Sequence, residues 1–165
     1  MDIESIRIGF RPEKIVLLMV GESPPAAGDF FYVKSQMTKF TAKTFELAHG
    51  KKIPPDDQQN FLEYFKRCGC YLEDICCTPV DDIPTEDRQR KLAEAVVGFS
   101  DRLARLRPLV VVVILKKIAA HSRIAAAMAN LDVPIYVLPF PGYGHQKKYI
   151  NGLRKIIRKH VNCVN

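Results

Sequence analysis

Leu109 to Leu115 reads LVVVVIL, an aliphatic run with no polar residue inside it. The run is strand-sized and rich in β-branched residues, whose stiff side chains suit a pleated surface better than a helix. A strand with one wet face would alternate apolar and polar residues. This one does not, so both of its faces are expected to be covered. Doubly covered strands belong to parallel sheets with helices packed above and below, which confines the chain to the α/β class.

The rest of the pattern agrees. Lys14 to Val20 (KIVLLMV) is a second continuous apolar run, Cys70 to Cys76 (CYLEDIC) alternates imperfectly, and Pro134 to Leu138 (PIYVL) is a short fourth strand. Helices are expected between them. Gln36 to His49 carries Phe40, Thr44 and Leu47 at helical spacing, with Gly50 as C-cap. Asp57 to Arg67 follows Pro54-Pro55-Asp56 and has an apolar face of Phe61, Leu62 and Phe65. Thr85 reads as an N-cap with Glu86 and Asp87 in the first turn. Leu92, Val96, Phe99, Leu103 and Leu106 then mark one face up to Pro108. Lys117 to Asn130 and His145 to about Val161 complete the set. The order β-α-α-β-α-β-α-β-α implies right-handed crossovers and a three-layer αβα sandwich on a four-stranded parallel sheet. At 165 residues the chain suits a single domain, 1–165, with no internal repeat or linker.

No apolar run approaches the ~20 residues of a membrane span. The opening residues show no basic stretch followed by an apolar core, so no secretory signal is expected. Five cysteines, an odd number, without such a signal favour reduced thiols in a cytoplasmic protein over a disulfide framework.

Parallel sheets bind ligands at the carboxyl ends of their strands. That rule selects GESPPAAGDFFY after the first strand, EDICCTPVDD at the second, Lys116-Lys117 after the third and PFPGYGH after the fourth. The first and last are rich in Pro, Gly and aromatics. Common catalytic signatures are missing. There is no Gly-Lys-Ser/Thr phosphate loop and no Gly-x-Gly-x-x-Gly, and Gly21-Glu22-Ser23-Pro24-Pro25 lacks the second Gly of a nucleophile elbow. His49, His121, His145 and His160 are scattered without metal-ligand spacing, so neither a metal nor a cofactor is expected.

Lys and Arg outnumber Asp and Glu by 25 to 18, a net charge of +7, which favours an anionic partner. The last helix concentrates that charge. Ile150, Leu153, Ile156, Ile157 and Val161 fall on one arc. Lys147, Lys148, Arg154, Lys155, Arg158 and Lys159 fall on the other, with no acid among them. A single-sign face repels itself and gains from phosphates, so DNA is the expected partner.

Together these segments resemble the uracil-DNA glycosylase superfamily. Its first motif is a Gly-rich turn after strand one, with forms such as Gly-Glu-Ala-Pro-Gly, followed by an aromatic. Gly21-Glu22-Ser23-Pro24-Pro25 and then Gly28-Asp29-Phe30-Phe31-Tyr32 match it here. The second motif, typically His-Pro-Ser, follows the last strand and leads into a basic helix. Phe140-Pro141-Gly142 stands in that place. The resemblance implies an αβα sandwich that removes a deaminated or damaged base by hydrolysing its N-glycosidic bond, without metal or cofactor. On that reading Glu22 stabilises the sugar cation or orients water, and Phe31 or Phe30 stacks on the extruded base. Gly21, Ser23, Phe140 and Gly142 line the pocket, and Lys147, Lys148, Arg154 and Lys155 hold the DNA backbone. Two departures stand out. Phe140 replaces the motif histidine, leaving His145 as a substitute. Asp74 falls where the family often places an Asn that reads the base edge. An ionised Asp only accepts hydrogen bonds, so it suits an amino group or ring N–H rather than the uracil O4 acceptor. The rival readings are a binding module of the same fold without turnover, and an unrelated small-molecule enzyme on a doubly wound scaffold.

Overall fold

The computed structural model describes residues 2–54 and 57–163. The expected helix start at Pro55-Asp56 lies outside the described residues. Short helix α1 (Ile3–Gly9) comes first and was not expected from the sequence. Then follow β1 (Leu17–Gly21), α2 (Gln36–His49), α3 (Gln58–Arg67), β2 (Cys70–Asp74), α4 (Thr85–Leu106), β3 (Val110–Ile114), α5 (Ala119–Met128), β4 (Ile135–Leu138) and α6 (Gln146–His160). A 3₁₀ turn, Lys116–Ile118, leads into α5. Among the described residues no helix is long and apolar enough to cross a membrane.

The four strands are parallel, in the order β2-β1-β3-β4. Helices α2, α3 and α6 pack together as one layer and α4 with α5 as the other. This is the three-layer αβα sandwich that the LVVVVIL run implied: Val110 to Ile114 is buried throughout. The chain leaves β1 for β2 on one side, then crosses to β3 on the other. The carboxyl end of β1 is therefore the switch point where the crossovers diverge and a crevice opens. Register places Gly21 of β1 opposite Asp74 of β2.

Several local expectations need correction. The second strand ends at Asp74, where Arg102 of α4 takes the Asp74 and Ile75 carbonyls (2.6 and 2.9 Å), although the Ile75 and Cys76 amides still bond the Gly21 and Glu22 carbonyls. Cys76 and Cys77 thus follow the strand rather than end it. Pro84, not Thr85, is the N-cap of α4, and no side chain caps that end. Of the three residues at helical spacing in α2, Thr44 lies on the buried face, Phe40 is half-buried and Leu47 lies outside it. Leu47 is exposed, and the buried residues are Thr38, Thr41, Thr44 and Phe45. Each of the three threonines spends its hydroxyl on a backbone carbonyl (2.6–2.7 Å), so their small side chains can be buried against α6. Tyr149 of α6 also bonds the Thr41 hydroxyl at 2.7 Å. Reduced thiols are not the whole of the cysteine chemistry either. Cys68 is disulfide-bonded to Cys163, 95 residues away, because α3 and the end of α6 meet in the same layer. Cys70, Cys76 and Cys77 are free.

Candidate functional site

A cavity of about 740 Å³ opens at the carboxyl ends of the strands. Its wall includes Gly21, Glu22, Ser23, Phe30, Phe31, Asp74, Phe140 and Gly142, so residues from β1, β2 and the loop after β4 converge as the sequence implied. The size falls within the 300–1,000 Å³ of ordinary ligand pockets.

Glu22 follows β1 directly, and its side chain is 9% exposed. Arg88 of α4 grips the carboxylate with both arms of its guanidinium, Nε donating to Oε1 at 2.7 Å and the second arm to Oε2. Lys117 adds its ammonium at 2.9 Å from Oε2. Partial burial pushes the Glu22 carboxyl up, but the Arg88 and Lys117 hydrogen bonds outweigh it and hold the group below the usual carboxylate range. Glu22 is thus a fixed anion. Oε2 is saturated by two donors, whereas Oε1 takes one and keeps an acceptor direction free.

Asp74 faces the same cavity and is 3% exposed. Arg7 of α1, itself 1% exposed, donates to Asp74 Oδ2 at 2.6 Å and to Glu73. Gly21 is required beside it: a Cβ there would collide with Asp74 Oδ1. Burial pushes the Asp74 carboxyl up to about 6, against the opposing pull of Arg7 and with Glu73 adding repulsion. Arg7 loses by burial and gains more from Asp74 and Glu73, so it stays charged. Above about pH 6 the cavity floor therefore carries an ionised acceptor.

The aromatic loop is anchored from behind. Tyr32 donates its hydroxyl to the Leu72 carbonyl (3.0 Å) and accepts the Leu72 amide (2.6 Å), occupying the free edge of β2. That edge-on capture pulls Phe30 and Phe31 into the core, at 1% and 5% exposure. Phe31 packs against Phe65 at 5.5 Å and Phe30 lies under the Arg7 guanidinium at 5.8 Å. Both still contribute to the cavity wall. Phe140, 40% exposed, and Tyr143, 99% exposed, are the exposed aromatics of the wall. The Ser23 hydroxyl accepts the Val80 amide at 3.3 Å, which ties its loop to the chain after β2.

His145 does not join this group. It stands exposed at the N-cap of α6, between Tyr143 and Gln146 of the cavity wall, and is not itself part of that wall. Lys147, Lys148 and Lys155 are exposed on α6, and Arg154 is half-buried. Sequence reasoning missed Arg88 and Gln146, and Tyr143 lay in the selected PFPGYGH segment without a role. Lys117 lay in a segment flagged by position but received no role. The signals were weak: Arg88 looks like an ordinary charge in an acidic first turn. Leu115, also in the wall, has φ of 134°, and Tyr143 has φ of 51°. Left-handed non-glycine backbone of this kind collects at functional sites, and no sequence pattern announces it.

Comparison of the chain with protein-family models and with curated proteins finds no match to either.

Proposed function

We propose that the protein is a DNA-base glycosylase of uracil-DNA glycosylase-like fold. The observation that carries this reading is the convergence of Glu22, Asp74, the Phe30-Phe31 wall and the Phe140 loop on one cavity at the switch point of the sheet. Base removal requires a pocket for an extruded base, a group that reads its edge and an anion beside the sugar. The cavity offers each. Phe30 and Phe31 supply an apolar wall, Asp74 an acceptor on the floor, and Glu22 a fixed carboxylate.

The pairing of Glu22 narrows its role. Two cations beside it leave a local surplus of positive charge, which weakens it as a counter-charge to an oxocarbenium-like sugar. Its free acceptor direction on Oε1 suits holding the attacking water. Asp74 favours bases that present N–H donors, such as an exocyclic amine or ring N–H, over a carbonyl edge. The exposed lysines of α6 supply backbone contacts.

A second reading has its own support. Phe140 provides no donor for a developing base anion, and His145 is not in the cavity wall. The same fold could then bind DNA or a nucleotide without turnover.

The deciding experiment uses single-stranded and duplex oligonucleotides carrying uracil, hypoxanthine, xanthine or a mismatched thymine. They are incubated with the protein and then treated with alkali, which cuts at abasic sites. The expected outcome is cleavage of at least one of them that falls by about 100-fold or more in Glu22→Ala, the scale of losing a positioned catalytic group. Salt-sensitive binding with no cleavage would establish the second reading. Neither binding nor cleavage would overturn both.

A further inference from the structure

Away from the cavity, three metal-ligating side chains from distant parts of the chain meet at the other end of α6. His49 ends α2, Cys68 caps α3, and Cys163 lies just past α6. One nitrogen of His49 and the two sulfurs all lie within 4.8 Å of one another. We propose that the reduced chain holds a zinc-class metal ion here, through Cys68 Sγ, Cys163 Sγ and one His49 nitrogen, and that the disulfide is the metal-free, oxidised form of the same site.

The donor set fits. Two thiolates and an imidazole form a soft-to-borderline set that zinc accepts readily. An ion about 2.3 Å from sulfur and about 2.0 Å from nitrogen needs its ligand atoms roughly 3.5–4 Å apart. The His49 nitrogen lies within 4.8 Å of both sulfurs, so it needs to close by at most about 1 Å, and the bonded sulfurs must part by roughly 2 Å. Cys163 can supply that movement. It stands in non-helical chain beyond the Val161 C-cap, half-buried, whereas Cys68 is 3% exposed and fixed. The Cα atoms of the pair are 4.7 Å apart, so little backbone displacement is involved.

The surroundings of His49 favour ligation as well. Its two ring nitrogens face the Tyr64 hydroxyl at 2.9 Å and the Val161 carbonyl at 3.2 Å. The nitrogen that binds exchanges its present hydrogen bond for the ion while the other keeps its partner, and such outer bonds orient ligating histidines in metal sites generally. Three protein donors leave a fourth position for water or a small thiol. Oxidation balances simply. A low-molecular-weight disulfide takes two electrons from the bound thiolates and leaves as two thiolates. The Cys68–Cys163 bond forms and the ion is released.

The test is a cobalt(II) titration of the fully reduced chain under anaerobic conditions, followed by zinc displacement. The expected result is a thiolate-to-cobalt charge-transfer band that saturates at one ion per chain and disappears on adding zinc. The same protein oxidised to the disulfide shows no band. Cys163→Ser and His49→Ala each bind at least about 100-fold more weakly, the upper end of what losing even an outer-shell partner costs. Cys77→Ser, which changes an exposed free thiol, binds as the parent does. A reduced chain without the band overturns the proposal. So does a band that persists in Cys163→Ser or in the oxidised protein, or one that is lost in Cys77→Ser. The oxidised parent carries no substitution, so misfolding of a variant cannot imitate the result.

Discussion

Asp74 and Glu22 show how two carboxylates in one cavity can be set to different tasks. Glu22 is gripped by Arg88 and Lys117, which hold it ionised well into the acid range. Asp74 is deeper, and burial outweighs its bond to Arg7, so it takes up a proton as pH falls through about 6. The groups facing it are Arg7 from α1, Glu73 from β2 and Arg102 from α4. Protonation converts Asp74 from an acceptor to a donor. If the protein turns over a base that presents N–H groups, as proposed, kcat/KM is expected to fall about tenfold per pH unit below about 6, with a single proton. A pH–rate profile at constant ionic strength checks this. An inflection below pH 5 would assign the limb to Glu22 and leave Asp74 without a reading role. The stability sign is the reverse of a salt-bridged surface carboxylate. Between the ordinary 3.8 and about 6 the folded chain holds the proton more tightly than the unfolded one. The contribution of Asp74 to stability therefore declines as pH rises across that window and is constant above it.

At the scale of elements, α1 is the part of the fold that the sequence concealed. Ile3 to Gly9 is too short to display a helical apolar stripe, and its most buried residue is an arginine. Arg7 reads as surface charge because charged side chains are almost never fully buried unless paired. Its partners, Glu73 and Asp74, lie 66 and 67 residues away, a relation no local pattern contains. By contrast, β3 was legible because an unbroken aliphatic run has few other outcomes. The strand-end loops were legible as site material because the carboxyl-end rule depends only on strand order. Sequence shows that an aromatic or imidazole is near a site, not which way it turns: Phe30 is buried yet still forms cavity wall, whereas His145 is exposed and outside that wall. Arg7 also provides an element-level test. Arg7→Ala would leave Glu73 and Asp74 buried without their shared cation. The expected cost is about 3–5 kcal/mol, as for breaking other buried pairs. Denaturant unfolding measures it. A loss below about 1 kcal/mol would mean that α1 is peripheral and that water replaces the guanidinium.

Across the whole molecule, charge and shape point to the same face. The cavity opens where the Phe140 loop enters α6, and Gln146 of the first turn of α6 is part of its wall. Exposed Lys147 and Lys148 follow immediately, with Lys155 two turns further along the helix. The apolar arc, Tyr149, Leu153, Ile156 and Ile157, is buried against the fold, and of the basic arc Lys147, Lys148, Lys155, Arg158 and Lys159 face outward while Arg154 is half-buried. A nucleic-acid backbone lying across the mouth of the cavity would run along these lysines. Each phosphate they neutralise releases condensed counterions and steepens the salt dependence of binding by about 0.9 on a log–log plot for duplex DNA. The variant Lys147→Ala/Lys148→Ala is therefore expected to lower that slope by about 2, with little change in preference among DNA sequences. Fluorescence anisotropy of a labelled duplex across a range of salt concentrations measures it. A slope unchanged by the double substitution would place the DNA elsewhere on the surface. Because Lys147 and Lys148 are exposed and absent from the cavity wall, cleavage of a substrate held at saturating concentration and low salt should change far less than binding does. That separation distinguishes a backbone contact from a group that takes part in the chemistry.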